Sequence, residues 1–200
     1  MPKKLSKTKK MLIEVARELF AKYGKRNVTM NDIAEASKRG RRTLYTYFTN
    51  KDEIYKAVIS EELNHMLVQL ANTSSEDLSP DIKLRNHIIT HLDAVKHIVN
   101  RNGSLKADFF VDIYEVERAR RKIDLTEIGM ISKMLEDGIR QRCFKKMDVQ
   151  LSSIIIFHAI KGLEVPYIRQ NLTTEFEKHK YEIVEFIFRG IKPDKTKLSL

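Results

Sequence analysis

Thr29-Met30-Asn31-Asp32-Ile33-Ala34-Glu35-Ala36-Ser37-Lys38-Arg39-Gly40-Arg41-Arg42-Thr43-Leu44-Tyr45-Thr46-Tyr47-Phe48 is the stretch on which the fold turns. Thr29 followed three residues later by Asp32 reads as a helix N-cap with an acidic partner, so a short helix starts here and carries Ile33, Ala34 and Ala36 inward. The segment stops near Gly40, and a second short helix follows with Leu44, Tyr47 and Phe48 on one face. Two short helices joined by a tight, basic turn form the arrangement that fits a helix into the DNA major groove.

Outward from this stretch the pattern stays helical. Leu12, Val15, Ala16, Leu19, Phe20 and Tyr23 fall at i, i+3, i+4, i+7 spacing, an amphipathic helix from Ser6 to Tyr23 closed by Gly24. Downstream, Thr49-Asn50-Lys51-Asp52 repeats the cap pattern and opens a long helix through Ile54, Val58, Leu63, Met66, Leu67 and Leu70. Residues 72–79 read as a polar linker, and Ser79-Pro80 as a cap followed by a first-turn proline, with the next helix reaching about Val99. A charged helix spans about Glu115 to Arg142. Another follows Asp148 and stops at Pro166, and a last one is capped by Thr174 and stopped by Gly190 and Pro193. No repeat and no strand pattern emerge, so the expected fold is all-α, divided into a helix-turn-helix head at 1–50 and a helical body at 51–200.

Charge is segregated in the same way. Residues 1–50 hold thirteen Lys and Arg against four Asp and Glu, a net of +9, whereas the other 150 residues carry only +1 of the total of +10. One basic end on a neutral body implies a module for polyanions. No apolar run approaches the ~20 residues that span a bilayer, and a single cysteine, Cys143, gives no intrachain disulfide, so a cytoplasmic protein is expected.

The outward side chains of the second short helix, Arg41, Arg42, Thr43, Tyr45, Thr46 and Tyr47, offer donors to phosphates and base edges. Tyr45 is the better placed of the two tyrosines. Thr29 and Asn31 sit at a helix N-terminus that favours a phosphate, as does Lys51 at the start of the long helix.

These residues resemble the TetR family of regulators over about positions 8–60. The resemblance rests on Ala16-Arg17-Glu18-Leu19-Phe20, Gly24, Thr29, Ile33-Ala34, Thr43-Leu44-Tyr45-Thr46-Tyr47-Phe48 and Lys51-Asp52-Glu53. In the turn, Ser37-Lys38-Arg39-Gly40 replaces the family's usual Ala-Gly-Val-Ser. Arg39 must then reach outward, Lys38 and Arg39 are expected to add phosphate contacts, and Gly40 makes a weaker cap.

The resemblance implies a repressor: a homodimer paired through the helices near 149–165 and 175–189, bound to a palindromic operator and released by an unknown small-molecule effector. His91, Phe109, Phe110, Tyr114 and Phe157 are the candidate lining of the effector pocket, each with core packing as its plainer role. His87 and His91 form an i, i+4 pair but show no third metal ligand, so no metal and no cofactor are expected. An enzyme is disfavoured by the lack of a phosphate loop or nucleophile elbow. A nonspecific polyanion binder would need only the five lysines of Met1–Lys10.

Overall fold

A computed structural model describes residues 6–75, 77–101, 113–168 and 173–193. Every regular element among them is helical: α1 (Lys7–Tyr23), a single 3-10 turn (Lys25–Asn27), α2 (Met30–Ala36), α3 (Arg41–Tyr47), α4 (Lys51–Ser75), α5 (Pro80–Arg101), α6 (Ile113–Arg140), α7 (Val149–Ile168) and α8 (Thr173–Ile191). Phe109 and Phe110 lie outside the described residues, as does the side chain of Tyr114.

The chain divides into two compact units. One comprises Met1–Asn64 and His97–Arg121, the other His65–Lys96 and Lys122–Leu200. In the first, Leu12, Ala16 and Phe20 of α1, Val28, Ile33 of α2, Leu44 and Phe48 of α3, and Ile54 and Val58 of α4 are buried. Phe20 meets Tyr55 edge to face with ring centroids 6.0 Å apart. Gly24 takes φ +80°, a conformation costly to any residue with a Cβ, and its N–H bonds the Phe20 carbonyl at 2.9 Å to close α1.

The second unit has its own core. Leu84, Ile88 and Leu92 of α5 pack with Ile131, Met134 and Leu135 of α6, Ile156, Phe157 and Ile160 of α7, and Val184 and Phe188 of α8. Phe144, between α6 and α7, stands edge to face on Phe188 at 6.0 Å.

Several expected boundaries move. α4 continues through residues 72–75, because the hydroxyls of Thr73 and Ser74 donate back to the Leu70 carbonyl and Ser75 to Asn72, so the polar run caps its own helix. At the start of α4 the cap is Asn50, whose Oδ1 accepts from the Glu53 N–H at 2.9 Å, with Glu53 reaching back to the Thr49 N–H at 2.7 Å. Pro166 does not end α7, which runs on to Ile168. Thr174 falls inside α8. The Asp148 cap holds: its Oδ1 accepts from Leu151 N–H at 3.0 Å.

Candidate nucleic-acid interface

The short helices of the head are positioned from both sides. Thr29 and Asp32 form a reciprocal capping box: the Thr29 hydroxyl accepts the Asp32 N–H at 3.2 Å, and Asp32 Oδ2 accepts the Thr29 N–H at 2.7 Å. These bonds hold the exposed Asp32 carboxyl below the ordinary carboxylate range. Thr29 also donates its hydroxyl proton to Asp32 at 2.8 Å, so both capacities of that hydroxyl serve the cap. Asn31 is exposed beside it.

The turn that departs from the family pattern is well formed. Ser37 is buried and donates its hydroxyl to the Ala34 carbonyl at 3.0 Å, while Arg39 N–H reaches the same carbonyl at 3.1 Å. Lys38 sits between them at φ +52°, in the left-handed region that favours glycine, and a lysine bears a steric cost there. Arg39 points outward, as its charge requires. Gly40 caps α3 at φ −62°, extended backbone open to any residue, and makes no side-chain bond.

Leu44, wholly buried, and Phe48, 1% exposed, fasten α3 to the head; burying each contributes roughly 1.5–3 kcal/mol. Their periodicity turns Arg41, Arg42, Tyr45 and Thr46 to solvent, with Thr43 and Tyr47 half-buried. Tyr45 is 45% exposed. No carboxylate pairs with Lys38, Arg39, Arg41 or Arg42 among the described residues, so their charge is available to an external anion. Thr46 instead donates to the Arg42 carbonyl at 2.9 Å, a bond it would have to release before donating to a phosphate. Lys51 Nζ lies 3.4 Å from the Arg26 carbonyl, with its other protons open.

Sequence reasoning missed an ion-pair cluster in the same unit. Arg17 of α1, 9% exposed, lies 2.6 Å from Glu14 and 3.9 Å from Glu62 of α4. Arg101, the last residue of α5, reaches Glu14 at 3.0 Å and Glu62 at 3.7 Å, and its carbonyl accepts from Arg17 at 3.4 Å. Two arginines and two glutamates thus tie the end of α5 to α1. The available signal was Glu62, a carboxylate one turn after Val58 on the buried stripe of α4.

The body holds a second cluster. His91 is fully buried, with Nδ1 2.7 Å from Glu127 Oε1 and Nε2 2.9 Å from Glu164 Oε1. His87, also fully buried, places Nε2 3.2 Å from the same Glu127 oxygen. Burial opposes charge on His91, but hydrogen bonds to Glu127 and Glu164 and their negative charges outweigh it and raise its pKa to about 9. Burial likewise pushes Glu127 up, yet bonds from His87 and His91 and their charge bring it down to about 2. Phe157 is buried in the apolar core. One open groove of about 320 Å³ is lined by Ser152, Ile155, Ile156 and Ala159 of α7 and Phe186, Ile187, Gly190 and Ile191 of α8, and by none of the five pocket candidates. Among the described residues no group of three His, Cys, Asp or Glu is placed to hold a metal ion.

A short helix presenting unpaired arginines and a tyrosine from a basic three-helix head defines a helix-turn-helix DNA-binding protein. Residues 12–58 of the chain match the family described as bacterial regulatory proteins, tetR family, and the chain is a DNA-binding transcriptional regulator. It is 25% identical to the probable acrEF/envCD operon repressor of Escherichia coli (strain K12), with 95% of this chain and 89% of that protein covered. Its fold resembles a transcriptional regulator from Cytophaga hutchinsonii ATCC 33406, with a TM-score of 0.77 at 19% identity, 92% of this chain and 98% of the other being covered. It also resembles the regulator FadR from Bacillus subtilis in complex with stearoyl-CoA, with a TM-score of 0.70 at 19% identity over 90% and 98% of the two chains. Among the described residues no helix is long and apolar enough to cross a membrane.

Proposed function

We propose that this regulator is a cytoplasmic repressor: a homodimer that holds a palindromic operator and releases it when a small molecule binds the body. The observation that carries this reading is the outer face of α3, where Arg41, Arg42 and Tyr45 stand exposed over the buried anchors Leu44 and Phe48. In it, residues 1–50 read DNA and residues 51–200 pair the subunits and bind effector. Arg41 and Arg42 are placed to read base edges. Tyr45, Thr43, Thr46 and Tyr47 flank them, and Thr29, Asn31, Lys38, Arg39 and Lys51 contact phosphates. The operon repressor among its relatives supports the sign of regulation, and the stearoyl-CoA complex of a similarly folded regulator supports an effector site in the body. His91, Phe109, Phe110, Tyr114 and Phe157 remain the proposed lining of that site.

The surface supports dimerisation. Leu151, Ile154 and Ile155 of α7 and Phe186 of α8 are exposed, Phe186 by 79%, on helices whose opposite sides are already buried in the core. Such a face needs covering, and a two-fold axis covers it with its own copy. The test is selection of bound sites from random DNA, followed by titration against scrambled duplex. An inverted repeat preferred by at least ~10³ is expected; equal affinity for both duplexes would reduce the head to a nonspecific polyanion binder.

A further inference from the structure

We propose that the proton is a second effector of this regulator: His158, set within the apolar outer face of α7, makes the pairing of two copies fail on acidification. The inference rests on the reading of that face as the dimer contact and adds what regulates it. Leu151, Ile154, Ile155, His158, Ala159 and Gly162 recur at helical spacing as one exposed stripe along α7. His158 is the one ionisable member of the stripe. The other charged side chains described between Val149 and Glu164 are engaged inside the protomer. Lys161 reaches Asp124 of α6 at 2.7 Å, and Glu164 meets His91 of α5 at 2.9 Å. The His158 ring stands edge to face with Phe157, centroids 5.3 Å apart, and no carboxylate among the described residues pairs with it.

The surface around the stripe is suited to its own copy. Phe186 of α8 projects, 79% exposed, at an open groove of about 320 Å³ that Ile155, Ala159 and Gly190 help to line. Knob and hole therefore lie on one surface, as a two-fold contact requires. Across such a contact the stripe of one subunit offers the other apolar side chains and a second His158. From α8, Glu182 and Arg189 add one exposed charge of each sign, four residues before and three after Phe186. Glu185 and Lys180 are held by Arg85 and Asp93 of α5. A neutral imidazole can be buried in these surroundings. An imidazolium would meet apolar surface or another imidazolium, and both oppose its charge. Separate subunits can then hold protons that the pair must shed. Pairing is thus fully favoured above the histidine range and weakens as pH falls through it.

The test is sedimentation equilibrium of the full-length protein at pH 8 and pH 5.5, with helical content read by circular dichroism at both. Helical content should hold, and the dissociation constant of the dimer should rise at least about tenfold at pH 5.5, since each pair carries two such histidines. His158→Gln should pair alike at both pH values. His158→Leu, which completes the apolar stripe, should keep the dimer at pH 5.5 and serves if the glutamine itself weakens pairing. Operator binding at pH 5.5 should weaken in the natural protein and persist in His158→Leu. The proposal is overturned if the natural dimer is as tight at pH 5.5 as at pH 8. It is equally overturned if the dimer tightens on acidification, as a carboxylate from the second copy beside the histidine would make it, or if both variants keep the full pH dependence. A protein monomeric at pH 8 refutes the dimer reading and this inference with it, whereas a dimer indifferent to pH refutes this inference alone.

Discussion

At the scale of single residues, the turn at Ser37–Gly40 combines internal bonds that close it with exposed cations at Lys38 and Arg39 that are proposed to meet DNA. Among the described residues Arg41 and Arg42 meet no carboxylate, and neither is needed to hold α3, which is fastened by Leu44 and Phe48. Arg41→Ala and Arg42→Ala should leave the fold intact. Whichever arginine reads a guanine should cost ~1–3 kcal/mol on the selected operator and relax preference at one base pair, whereas a phosphate contact weakens all DNA alike. Binding curves on operator and scrambled duplex separate these cases.

His91 is the residue on which the body's charge balance depends. His91→Leu would leave Glu127 and Glu164 without their shared cation and should destabilise the fold by ~3–5 kcal/mol in urea titrations. The sign of the pH dependence follows from the shifts. His91, raised from 6.5 to about 9, contributes fully below pH 6.5 and loses its contribution as pH rises through 9. Glu127, lowered from 4.5 to about 2, contributes above pH 4.5 and loses its contribution as pH falls toward 2. Denaturant midpoints should therefore fall between pH 6.5 and 9 in the natural protein, and lose the His91 part of that fall in His91→Leu.

At the scale of elements, the helices follow from caps and periodicity, and their ends follow from details that pattern alone does not rank. Two candidate caps stand side by side at Thr49 and Asn50, and the backbone direction chooses Asn50. A run such as Asn72-Thr73-Ser74-Ser75 suits a linker by composition, yet its hydroxyls satisfy the helix they extend. The end of α6 is set by packing: a Cβ on Gly138 would collide with the ring of Phe144, itself 2% exposed and braced on Phe188. Gly138→Ala should thus cost ~1–3 kcal/mol through overpacking, although alanine is the better helix former. Thermal unfolding checks it, and a gain in Tm would show that Phe144 yields easily.

At the scale of the whole molecule, the basic head and the apolar face of α7 and α8 carry the two associations proposed above, with DNA and with a second copy. Phe186→Glu, at a position 79% exposed, should leave the helical content unchanged but convert a dimer to monomer in sedimentation. Operator affinity should fall steeply with it, since one head alone holds half a palindrome.

The sequence by itself determined the helices, the helix-turn-helix and the basic head, because caps, 3.6-residue periodicity and charge runs are carried by neighbours within a few residues. It also marked His87 and His91 as a pair one turn apart. It did not supply their partners. Glu127 lies 40 and 36 residues from the two histidines, and Glu164 lies 73 from His91. A carboxylate between Ile123 and Ile131 on an apolar stripe signals a buried charge without saying what compensates it. Only tertiary packing decides that, because bringing α5, α6 and α7 together excludes water, and without water each charge must be met by whichever side chain the facing helix presents.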